Sequence, residues 1–136
     1  MIKVYIAAPW AERTGLALEA LKAVEKAGFE VCSRWILQHQ ATNEGDPATD
    51  PAMRALFEQE AEADFEDVLN ADAFLLINSQ ARGSETSGKA VETGIALMAG
   101  MPVICVGKWS NVFHFLEGVT RVNTLEEGIE CLKGLE

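Results

Sequence analysis

Residues 73–77, Ala-Phe-Leu-Leu-Ile, form an apolar run without a polar interruption, with Asp72 before it and Asn78 after it. A strand with one wet face alternates apolar and polar side chains, whereas an unbroken run of this length suits a strand covered on both faces. Covering both faces takes helices, and parallel strands need long crossover connections. The rest of the chain supplies both. Residues 2–8 (Ile-Lys-Val-Tyr-Ile-Ala-Ala) read as a buried first strand ended by Pro9. Leu16, Leu18, Leu21, Val24 and Ala27 recur at helical spacing over about 13–27, and Gly28 closes that helix. Residues 29–33 make a short second strand, followed by an irregular polar stretch, 34–50, with Gly45 and Pro47. Loops of that length in compact domains are often functional. Asp50 ahead of Pro51 is a cap-then-first-turn pair that opens a helix reaching Leu69. After the 73–77 strand and a Gly/Ser/Thr loop, a helix runs from about Ser87 to Met98 and Gly100 ends it. Residues 101–106 form a fourth strand, 119–122 a fifth, and about 125–132 a last helix. The alternation predicts one α/β domain over residues 1–136: a doubly wound, flavodoxin- or Rossmann-like five-stranded parallel sheet of order 2-1-3-4-5 with helices on both faces.

Charge narrows the partners. Eleven basic against 21 acidic residues leave a formal charge of −10, a field that repels a nucleic-acid backbone. A small anion is still acceptable, because backbone amides and one or two cations bind a phosphate locally. No apolar run approaches the ~20 residues that cross a bilayer. The apolar start is too short for a secretory signal and leads straight into a turn, so a cytoplasmic protein is expected. Cys32, Cys105 and Cys131 are odd in number and lack metal-type spacing, which argues against disulfides and zinc. Cys32 and Cys105 sit in apolar runs and read as buried small hydrophobes.

In open parallel sheets, ligands bind beyond the carboxyl ends of the strands, where strand order reverses. Here that rim comprises Ala8-Pro9-Trp10, the loop 79–88 and residues 108–113. The helix starting near Ser87 points its unpaired amides into the crevice, with Ser84 and Thr86 beside them. These can hold an anion or a sugar hydroxyl, or simply cap the helix. The loop is neither a Walker A sequence nor a GxGxxG fingerprint. Glu92 stands in a helix that otherwise reads as core (Ala90, Val91, Ile95, Ala96, Leu97), next to Gly94. It is either solvated at the surface or aimed into the crevice. Asp64 lies in a run of acids (Glu60, Glu62, Asp64, Glu66, Asp67), of which one or two at most can reach the rim. Trp10 and Trp35 suit base stacking or core filling alike.

Several of these residues together resemble the nucleoside 2-deoxyribosyltransferase superfamily, which includes the 2′-deoxynucleoside 5′-phosphate N-glycosidases. The segments are Lys3-Val-Tyr-Ile-Ala-Ala-Pro9, Asp64 with Ala71-Asp-Ala-Phe-Leu-Leu-Ile77, Gly88-Lys-Ala-Val-Glu-Thr-Gly-Ile-Ala-Leu97, and Pro102-Val-Ile-Cys-Val-Gly107. They run in order over most of the chain, and Glu-x-Gly-x-Ala is the most specific. The resemblance implies cleavage of the N-glycosidic bond of a 2′-deoxynucleoside or its 5′-monophosphate, by hydrolysis or base exchange, without a cofactor or metal. It places Glu92 as nucleophile, Asp64 as the acid that protonates the departing base or orients the sugar, and Tyr5 beside the nucleophile. Ala8, Pro9, Trp10, Ser84, Thr86, Gly88 and Asn111 would then line the substrate site. It further implies a homodimer or larger assembly, with the segment of Asn111 and His114 completing a neighbour's site. Two positions depart from the pattern. Thr86 stands where the transferases carry aspartate and the monophosphate glycosidases serine. Ala11 stands where those glycosidases carry arginine, so Arg13, Arg34 or Lys89 would have to substitute. A non-catalytic nucleotide-binding module of the same fold is the competing expectation.

Overall fold

The computed structural model describes residues 1–39, 44–78 and 87–136. Its strands are β1 (Lys3–Ala7), β2 (Glu30–Val31), β3 (Ala73–Ile77), β4 (Val103–Val106) and β5 (Val119–Val122), and its helices are α1 (Leu18–Lys26), α2 (Trp35–Gln38), α3 (Pro51–Leu69), α4 (Ser87–Met98) and α5 (Leu125–Lys133). All four strand pairings are parallel, in the order β2-β1-β3-β4-β5, as the sequence predicts. The strands at the centre are buried throughout: every residue of β3 and β4, and all of β1 after Lys3. That accounts for their unbroken apolar sequences. No helix among the described residues is long and apolar enough to cross a membrane.

Local chemistry sets the element ends. The Asp50 side chain accepts from the amides of Ala52 (3.0 Å) and Met53 (3.4 Å), and Pro51 occupies the first turn of α3, where a missing N–H is harmless. Thr124 caps α5 by accepting from the Glu127 amide at 3.1 Å. Gly128 lets α5 lie close on the sheet, since a Cβ there would stand 3.1 Å from Val106 Cγ2 and 3.4 Å from Leu75 Cδ1.

The structure differs from expectation at short elements. The first helix begins as a wide π-type turn over Arg13–Ala17 before becoming α1. The polar stretch after β2 contains α2, whose Trp35 is buried and donates from Nε1 to the Ile6 carbonyl at 2.8 Å. Trp35 is therefore core and not a stacking platform. A 3-10 turn, Val112–Phe115, follows β4.

Candidate active site

β1 and β3 pair with Tyr5 opposite Phe74. In-register parallel neighbours project from the same face of a sheet, and the two rings stack with centroids 5.4 Å apart and planes at 13°. The stack holds the Tyr5 phenol, itself fully buried, towards α4, where its hydroxyl donates to Glu92 Oε2. Glu92 is thus turned inward, which decides between the two orientations left open by the sequence.

The electrostatics follow from that burial. Loss of solvation pushes the Glu92 carboxyl up to about 7; the bond from Tyr5 opposes the rise and the negative charge of Asp64 adds to it. Asp64, on α3, is pushed up to about 6, first by burial and then by the charges of Asp67 and Glu60, with Arg34 pulling the other way. Its carboxylate makes no hydrogen bond among the described residues. Tyr5 is held far above the ordinary phenol range by burial, then by Glu92 and Asp64, so it acts as a neutral donor. Two mutually repelling carboxyls that titrate near neutrality let one stay protonated while the other ionises, the division of labour that acid–nucleophile chemistry requires. Cys32 and Cys105 offer no alternative nucleophile: burial drives both thiols up to about 11.

The remaining candidates divide. Ala8 and Pro9 are buried, and Trp10, 40% exposed, is the residue of that loop that a ligand can meet. Arg13 stands over the Trp10 ring at 5.7 Å, and the His39 ring meets its edge at 5.5 Å. Gly88 is exposed at the start of α4. Ser84 and Thr86 lie outside the described residues. Asn111 lines a groove of about 800 Å³ with Asn78, Lys89, Thr93 and Phe113, whose walls include neither Glu92 nor Tyr5. Its side chain caps the 112–115 turn by accepting from the Phe113 amide at 2.9 Å, and buried His114 accepts from the Asn111 amide at 3.4 Å. Of the substitute cations, Arg34 is paired with Asp67 at 2.9 Å, and Lys89 donates to Asn78 at 2.9 Å. Sequence reasoning missed the Arg34–Asp67 pair, which spans 33 positions; Asp67 was passed over as one of a run of surface acids. Among the described residues, no group of three or more His, Cys, Asp and Glu side chains is placed to hold a metal ion.

Fold and site together define a class: a doubly wound parallel α/β domain with a half-buried, tyrosine-bonded carboxylate on the helix after β3. As a sequence, the chain matches no family model and no curated protein. As a structure, it is similar to the CMP N-glycosidase of Clostridium botulinum, at 17% identity over 96% of this chain and 98% of that one, with a TM-score of 0.57. It is also similar to a 2-deoxyribosyltransferase from Bacillus psychrosaccharolyticus (18% identity, 93% and 90% covered, TM-score 0.60). A conserved protein from Enterococcus faecalis V583 matches too (16% identity, 100% and 99% covered, TM-score 0.63). At these identities the likeness establishes a shared fold, over nearly the whole length of each chain.

Proposed function

We propose that the protein is an enzyme that breaks the N-glycosidic bond of a 2′-deoxynucleoside or its 5′-monophosphate. The observation that carries this reading is the buried Tyr5 hydroxyl donating to the half-buried Glu92 carboxylate, with the charge of Asp64 acting on both. The fold shared with a CMP N-glycosidase and a 2-deoxyribosyltransferase supports it. The chemistry uses the state in which the pair's proton sits on Asp64, although Asp64 has the lower midpoint of the two, and the bond from Tyr5 favours that state by lowering Glu92. Ionised Glu92 then attacks the anomeric carbon while the bond to the base breaks, and protonated Asp64 gives its proton to the departing nitrogen. The resulting glycosyl ester is resolved by water, which yields deoxyribose or its 5-phosphate, or by a second base, which yields a new nucleoside or nucleotide; either way Glu92 leaves as the carboxylate. Tyr5 orients the carboxylate and retains its own proton throughout. Trp10 offers a face for the base, and Arg13 beside it is the cation nearest to hand for a 5′-phosphate.

A second copy of the chain is part of this reading. Val91, Met98, Phe113 and Leu116 expose 61%, 90%, 59% and 46% of their surface around the groove beside α4. Apolar side chains in such number mark an interaction surface. A Cβ at Gly94 would meet nothing within 4 Å among the described residues, leaving room for a neighbour's approach. The three cysteines are free thiols, in keeping with a cytoplasmic setting.

The test is release of free base from a panel of deoxynucleosides and monophosphates, comparing the native protein with Glu92→Ala. Release by the native protein alone supports the assignment, and equal release by both removes Glu92 from the chemistry. Added acceptor base separates transfer from hydrolysis. Tight nucleotide binding by calorimetry with no turnover over a day would instead identify a binding module.

A further inference from the structure

The two ends of one α3 turn are tied to the exit of β2 by a single residue, Arg34. Arg34 donates from its backbone amide and from Nε to the Asp67 carboxylate, both at 2.9 Å, and its Nη2 reaches the Ala63 carbonyl at 3.5 Å. Cys32 Sγ adds a contact to the Asp67 carbonyl at 3.4 Å. Asp67 is 5% exposed, so this is a buried anchor met by a forked guanidinium, a geometry that an ammonium cannot reproduce. Asp64 lies between the two anchored residues. α3 also packs against α4, which carries Glu92.

We propose that Arg34 is a positioning residue for Asp64: by clamping the 63–67 turn to the end of β2, it sets how closely the Asp64 carboxylate stands to Glu92, without touching substrate itself. The inference rests on the reading of Asp64 as the working partner of Glu92. The charged and titratable groups that bear on Asp64 are Glu60 and Asp67 from its own helix, Arg34 from the β2–α2 turn, Glu92 from α4 and Tyr5 from β1. Arg34 and Asp67 act on Asp64 with opposite signs, and both belong to the clamp.

The experiment is a coupling cycle read without substrate. Carboxyl carbon-13 titration gives the Glu92 midpoint in the native protein and in Asp64→Asn; the difference is the coupling between the two carboxyls. The same difference is then measured with Arg34→Lys present in both proteins. Positioning predicts that the coupling falls to about half or less, because lysine keeps the charge and loses the fork. A role confined to stability predicts a lower melting temperature with the coupling intact, and that result overturns the proposal. Asp67→Asn, which removes the other half of the clamp, serves if Arg34→Lys does not fold, with the same two outcomes. A kinetic arm separates this inference from the enzymatic reading: Arg34→Lys should lower kcat about tenfold with KM within about twofold. Reduced coupling in a protein that releases no base leaves the clamp standing and removes the function. Unchanged coupling in an active enzyme does the reverse.

Discussion

At the scale of single residues, the inward turn of Glu92 has consequences that a surface carboxylate would not have. Its ionisation midpoint lies at about 7 in the folded chain against an ordinary 4.5, with burial as the main cause. The folded state therefore binds more protons than the unfolded state between those two values. The stabilising contribution is complete below about pH 4.5 and is lost as pH rises through about 7. Glu92→Gln, which cannot ionise, should thus gain stability on the native protein by about 3 kcal/mol between pH 4.5 and pH 8, measured by urea unfolding at both values. The same substitution should lower base release at least about a thousandfold, as loss of a nucleophile does. Tyr5→Phe deletes the bond that holds the Glu92 midpoint down, so the acid limb of the pH–rate profile should move upward. An unmoved limb would count against Glu92 as the group that titrates there. From sequence alone Glu92 could be narrowed to one of two orientations and no further. Its partner lies 87 positions away, and no local pattern records which way a helix is rolled against a distant strand.

At the scale of elements, what was legible follows from periodicity and end chemistry. β3 and β5 begin and end where the apolar pattern puts them, and α3 starts at the Asp50–Pro51 cap. Asp50→Ala should cost about 1 kcal/mol, seen as a lower denaturation midpoint with unchanged slope. What was not legible is short or non-local. α2 and the 112–115 turn span four residues each, too few for a 3.6-residue repeat to register. α3 carries acids and apolar residues on several sides, with Phe57, Phe65 and Leu69 all substantially exposed, so its buried face could not be picked out, and Asp67 with it. α5 is the opposite case, seated on the sheet at a glycine. Gly128→Val would drive two further methyl groups towards Val106 and Leu75, which already stand within 3.4 Å of a Cβ at that position. Overpacking of this kind should destabilise by about 1–3 kcal/mol, where a glycine replaced on an exposed helix face would be gained or neutral.

At the scale of the whole molecule, the two flanks of α4 carry separate tasks. One presents Glu92 to Tyr5; the other borders the groove with Asn111, Met98 and Phe113. If a second copy covers that groove, Met98→Glu should place a charge in an apolar contact. Sedimentation velocity should then report the monomer where the native protein sediments as a dimer, and the melting temperature should lose its dependence on concentration. A native protein that is monomeric at all concentrations would remove the second copy from the reading. The chain also holds a single tyrosine, and that ring is the one stacked on Phe74 at the mouth of α4. Nature has thus labelled the crevice with its own chromophore. In an alkaline spectrophotometric titration, the ultraviolet band of tyrosinate should stay dark while the sheet is intact and light up only in step with global opening. A fluorinated ring would show ligand arrival at this one position, with no second tyrosine to add a signal.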